Sequence, residues 1–204
     1  MKVADPSASV VSKAAAAFLL TCLFAASAHA HSDASTLAGG FATGFMHPVL
    51  GWDHVAAMVA VGLWGAFLGE RAVWTLPVVF PVVMAAGGVM GLFGVPLPFV
   101  EEGIALSAIV IGAMIATASR PPLWVAAILV GAFAIFHGYA HGAELPEAAN
   151  PVLYTAGFML ATGLLHVGGI VVGLSVRWPI GAKVVRCIGA LISLAGVGFL
   201  TGTL

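Results

Sequence analysis

Apolar residues run along this chain in long blocks, separated by short polar or proline-containing stretches. Beyond the first thirty-odd residues the blocks cover about 38–69, 72–94, 99–119, 122–141, 151–176 and 183–203. The breaks are Glu70-Arg71, Gly94-Val95-Pro96-Leu97-Pro98, Arg120-Pro121-Pro122, Gly142 to Pro151, and Arg177 to Lys183. A hydrocarbon core of about 30 Å needs roughly 20 apolar residues per helix, so each block is long enough for one crossing. No water is present there to satisfy backbone N–H and C=O groups, which selects helix for every crossing. The pattern predicts an all-α integral membrane protein, a six-helix transmembrane bundle with short connections.

The N-terminal segment has a different pattern. Lys2 and Lys13 flank a polar stretch, and Ala14 to Ala26 is an apolar run of 13 residues, too short to span. Ala28-His29-Ala30 follows, with small residues placed for cleavage after Ala30; Ala26-Ser27-Ala28 offers a second cut, after Ala28. Residues 1–30 are therefore expected to be a cleavable signal peptide and 31–204 the membrane domain, with the mature N-terminus outside the cytoplasm. Cleavage would place His29 or His31 near the new terminus, where a terminal amine and imidazole suit Ni(II) or Cu(II).

Composition agrees with a membrane protein. Of 204 residues 61% are hydrophobic and 7% charged, against about 25% charged in a soluble domain. A net charge of −1 provides no basic surface for nucleic acid. Charge placement predicts orientation. Arg71, Arg120, Arg177, Lys183 and Arg186 are every basic residue after position 30, and all fall in alternate breaks. Asp33, Glu101, Glu102, Glu144 and Glu147 fall on the other side. Basic loops stay in the cytoplasm, so the expected topology is a multi-pass protein of the bacterial inner membrane with a periplasmic N-terminus. Lipid is one partner; whether copies associate into a homo-oligomer is left open by the sequence. After cleavage Cys187 is the remaining thiol, which rules out an intramolecular disulfide and thiolate clusters. Gly87-xxx-Gly91 and Gly169-xxx-Gly173 read as close helix packing.

Ionisable side chains inside a membrane are costly and mark function. The first block carries His47, Asp53 and His54 in the run His47-Pro48-Val49-Leu50-Gly51-Trp52-Asp53-His54. Seven residues of straight helix would separate the two imidazoles by about 10.5 Å along the axis. Pro48 and Gly51 lie between them and provide the means to break the helix, which would bring both imidazoles and the carboxylate toward one point. The fourth block ends in Phe136-His137-Gly138-Tyr139-Ala140-His141-Gly142-Ala143-Glu144. His137 and His141 share a helix face at i, i+4, and Glu144 follows at i+3. His166 lies near the middle of the fifth block, and Glu101 opens the third on the outer side. Glu102 and Glu147 read as solvated loop charges. A donor set of imidazole and carboxylate without thiolate suits divalent Ni, Co, Zn, Cu or Fe. Several non-identical sites along a path are what conduction requires, since an ion must also leave.

These residues resemble the HupE/UreJ family of nickel permeases. The resemblance rests on His47-Pro48-x-x-Gly51-x-Asp53-His54-x-x-x-Met58-x-x-Val61-Gly62 and on Phe136-His137-Gly138-x-Ala140-His141-Gly142-x-Glu144. It implies uptake of Ni²⁺ across the cytoplasmic membrane to supply nickel enzymes such as hydrogenase or urease, with Co²⁺ the alternative cargo. It carries functional roles to His47, Asp53, His54, His141 and Glu144, to the acidic Glu101, and to the aromatic Phe80 in the second block. His137 and His166 rest on the residues themselves. The metal is expected to be cargo, with no permanently bound cofactor and no enzymatic activity. A non-transporting metal sensor or assembly factor is the rival reading. A metallohydrolase lacks a His-Glu-x-x-His motif here.

Overall fold

The computed structural model describes residues 37–144 and 150–204. The expected signal peptide, His29, His31, Asp33 and Glu147 lie outside the described residues. Among these residues there is no strand. The helices are α1 (Leu37–Leu50), α2 (Trp52–Leu68), α3 (Glu70–Leu92), α4 (Val100–Ala116), α5 (Leu123–Ala143), α6 (Pro151–Gly173) and α7 (Pro179–Thr201), with a 3₁₀ turn at Leu174–Arg177. Together α1 and α2 occupy the first apolar block and are bent by 78° at Gly51. Gly51 takes an extended ψ of 109°, and Pro48 within α1 has no amide hydrogen to donate. The break anticipated from Pro48 and Gly51 is present.

Arg71–Leu92, Leu123–Ala143, Pro151–Arg177 and Pro179–Thr201 are each long and apolar enough to cross a membrane, and the bent pair makes a fifth candidate. The third expected block is also helical, but α4 has 17 residues. At 1.5 Å per residue it is about 25 Å long, less than the hydrocarbon thickness. Its end is set by backbone conformation: Ala118 has φ 58°, and the Thr117 hydroxyl folds back onto the Ala113 carbonyl at 2.7 Å. A second boundary also moves. Pro179 starts α7 at its first turn, so Lys183 and Arg186 lie inside the helix rather than in the break before it.

The two short helices α2 and α4 form the interior. Trp64, Met58, Leu63, Ile111 and Ile115 are fully buried there. The most extensive contacts are of α3 with α5, α4 with α7, and α6 with both α1 and α2. Glycines make several of these contacts possible. A Cβ at Gly87 or Gly91 would strike the α5 backbone at Ile135 or Tyr139, and one at Gly169 would strike the α2 backbone at Val59. The small-residue spacings are thus used for backbone-to-backbone approach, as expected. Outward faces carry exposed Val78, Val82, Ile128, Leu160, Leu164, Leu191 and Leu194, the surface a lipid-facing bundle presents. Exposed Trp74 and Trp124 flank one end and exposed Trp52, Phe93 and Phe99 the other, as in the aromatic belts of membrane interfaces.

The charges separate by end. The Arg120 guanidinium lies 4.7 Å from the Phe67 ring at the end of α2, and Arg186 Nε donates to the Ala116 carbonyl at the end of α4. Arg71 lines a cavity of about 430 Å³ with Pro121. At the opposite end Asp53 and Glu101 line one open cavity of about 730 Å³ with Trp52, Phe199 and Leu204.

Candidate metal site

The bend at Gly51 brings His47 and His54 to the same place from two differently directed helices. The last turns of α5 supply His141. One ring nitrogen from each of His47, His54 and His141 lies within 4.8 Å of the others. Ring centroids are 4.5 Å apart for His54 and His141, 4.9 Å for His47 and His141, and 6.0 Å for His47 and His54. His54 and His141 are buried, and His47 is partly so.

Asp53 is positioned to set the chemistry of His54. Its Oδ1 accepts from His54 Nδ1 at 2.8 Å, while its side chain keeps 29% exposure toward the acidic-end cavity. A carboxylate cannot donate, so Nδ1 carries the hydrogen, and in the neutral ring Nε2 presents a lone pair. That Nε2 is buried and has no hydrogen-bond partner, as are both nitrogens of His141. An unsatisfied buried polar atom costs about 1–3 kcal/mol. Imidazole nitrogens brought together in this way suit a divalent cation. Gly51 makes room for this arrangement. A Cβ there would stand 2.9 Å from His54 Nδ1 and 3.0 Å from Asp53 Oδ1.

Helices α3 and α6 complete the surroundings. Gly138 and Gly142, which flank His141 in its motif, press directly on the α3 backbone at Met84 and Gly88. The glycines therefore set the seat of α5, and through it the position of the imidazoles. From α6, Phe158 lies 4.2 Å from the His141 ring and Tyr154 lies 6.0 Å from the His47 ring, centroid to centroid. Tyr154 and Phe158 were not expected at the site. The signal available for them was their i, i+4 spacing with Thr162 and His166 on one face.

The remaining candidates are placed around this centre rather than in it. His137 is fully buried one turn below His141, with its ring 5.3 Å from His54 and its Nε2 3.0 Å from Ser107 Oγ. His166 is buried farther along α6, and Phe80 has ring contacts of 5.5 Å with both His137 and His166. Glu101 is exposed in the first turn of α4, where it shares the cavity with Asp53. Glu144 caps α5 from an exposed position, close enough to His47 to interact through its charge. Neither carboxylate is among the converging ligand atoms.

The chain is similar along most of its length to a named relative. Protein HupE of Rhizobium leguminosarum bv. viciae is 46% identical over 174 residues, covering 85% of this chain and 91% of that protein. No solved structure matches the chain. The model of the family described as HupE / UreJ protein matches residues 18–199. A match of that extent, with the first-block and fourth-block motifs inside it, establishes that this chain belongs to the HupE/UreJ family.

Proposed function

We propose that the protein is a permease carrying Ni²⁺ into the cell across the cytoplasmic membrane, in support of nickel enzymes such as hydrogenase or urease. In this reading it is a six-span protein with its acidic end facing the periplasm, and α4 is a short central crossing. The observation that carries the proposal is the convergence of His47, His54 and His141 within 4.8 Å beside Asp53, inside an apolar bundle. Imidazole nitrogens bind Ni²⁺, Co²⁺ and Zn²⁺ well and Mg²⁺ or Ca²⁺ poorly. Placing them in the membrane has a cost that a soluble metal store would avoid.

Each residue then has a part. Glu101 and Asp53, at the mouth of the open cavity, and Glu144, beside His47, draw a hydrated dication to the acidic end. The ion exchanges water for His54 Nε2, His141 and His47. Asp53 holds the bare Nε2 of His54 toward the ion and offsets the positive charge. Nitrogens sharing one ion at about 2.1 Å stand at most about 4.2 Å apart, close to the spread of the three imidazoles here. The metal is cargo, and the protein performs no chemistry on it.

Purified protein in liposomes loaded with an internal chelator tests this. A permease accumulates ⁶³Ni²⁺ inside, whereas a sensor or assembly factor binds it without accumulation. Competition decides the cargo: excess Co²⁺ blocking uptake more strongly than excess Ni²⁺ would make cobalt the substrate and keep the site.

A further inference from the structure

Among the described residues, the buried groups beyond the three-histidine cluster with unpartnered polar atoms include His137, His166 and Thr162. The first is His137. Ser107 Oγ donates its hydrogen to the Ile104 carbonyl at 2.6 Å. A hydroxyl has one hydrogen to give. The 3.0 Å contact between Ser107 Oγ and His137 Nε2 is therefore donated by the imidazole. Its hydrogen is on Nε2, and Nδ1 is left with a bare lone pair, fully buried and without a partner. Ser107 thus sets His137 as Asp53 sets His54, but on the opposite nitrogen.

The second and third are on α6. His166 is 2% exposed with Nε2 unpartnered, and Thr162 is 0% exposed with an unpartnered hydroxyl. Four residues apart, they share a helix face. This face continues upward through Phe158 and Tyr154, which line the cluster. Tyr154 to His166 is twelve residues, about 18 Å of helix. The carbonyl of His166 faces Gly62, midway along α2, which puts His166 near the middle of the bundle. The ring of Phe80 touches both His137 and His166, at 5.5 Å each.

We propose that His137 and His166 form an inward relay for the divalent cation, with His137 Nδ1 taking it from the three-histidine cluster and His166, aided by Thr162, receiving it beyond Phe80. The inference rests on the permease reading and extends it from the cluster to the middle of the path. Two single-imidazole stations bind the ion more weakly than the cluster does, which lets it leave. Ser107 is a positioning residue: it sets which nitrogen His137 offers.

The test measures equilibrium ⁶³Ni²⁺ binding by the purified full chain and ⁶³Ni²⁺ uptake by liposomes containing it. His166→Gln and Ser107→Ala are expected to keep cluster binding within about twofold while lowering uptake about tenfold or more. Uptake by His166→Gln at the rate of the unmodified protein overturns the relay alone. Loss of cluster binding in His166→Gln and in His166→Asn makes His166 part of the scaffold and also overturns it. An unmodified protein that binds Ni²⁺ but never accumulates it overturns the permease reading, and the relay with it.

Discussion

Asp53 Oδ1 lies 2.8 Å from His54 Nδ1, although the two residues are neighbours in sequence and on successive positions of α2. This contact occupies Nδ1 and leaves Nε2 as the His54 nitrogen without a partner. Replacing Asp53 with Ala frees the ring and removes a negative charge from the site, while no ligand nitrogen is lost. Nickel affinity should fall about 10–100-fold, as for other residues that hold a ligand in place. Equilibrium binding of ⁶³Ni²⁺ checks this, and an unchanged dissociation constant would remove Asp53 from the site.

Gly51 is required for space as well as for the bend. Its φ of −84° is open to any residue. A Cβ, however, would crowd both atoms of the Asp53–His54 pair, at 3.0 and 2.9 Å. Gly51→Ala should therefore weaken Ni²⁺ binding toward the level of Asp53→Ala. The thermal unfolding of the protein in detergent should change little by comparison. Binding equal to that of the unmodified protein would show that the pair has room to move.

The glycines beside His141 act differently. A Cβ at Gly138 or Gly142 would collide with the backbone of α3, which has no flexible end to yield. Each Gly→Ala change there should destabilise the bundle by about 1–3 kcal/mol through overpacking. Gly163→Ala has nothing within 4 Å of the new Cβ and should be neutral or slightly stabilising. Thermal unfolding of the three variants in one detergent makes the comparison.

Much of this site is legible in the sequence. His47 and His54 at a spacing of seven, with Pro48 and Gly51 between, implied a break, because straight helix would have kept the imidazoles about 10.5 Å apart. The i, i+4 pairing of His137 and His141 likewise placed both on one face. Helix partners were not legible. Apolar residues are spread nearly uniformly around α6, so nothing in its periodicity said that it would lie against α1 and α2 and bring Tyr154 and Phe158 to the histidines. Ser107 was invisible for the same reason, since its role depends on α4 lying beside α5. The shortness of α4 escaped because hydropathy reports partitioning into lipid, whereas the helix ends where Ala118 turns to φ 58°.

The separation of charges predicts orientation. Glu102 is exposed at the start of α4, at the acidic end, and Ser119 lies just beyond its other end, beside the basic residues. In a protein lacking Cys187, a membrane-impermeant thiol reagent added to intact spheroplasts should label Glu102→Cys and leave Ser119→Cys unlabelled until the cells are lysed. The reverse pattern would turn the bundle over and make the histidine cluster an exit rather than an entrance.

The most direct measurement is ⁶³Ni²⁺ uptake by a bacterium lacking its own nickel transporters, comparing the intact protein with His54→Ala and His141→Ala at matched membrane levels. The account predicts uptake by the intact protein, displaced by excess Ni²⁺, and its loss in both variants. Uptake by the variants at the intact rate would contradict it, because the ion would then be crossing without the cluster that His47, His54 and His141 form.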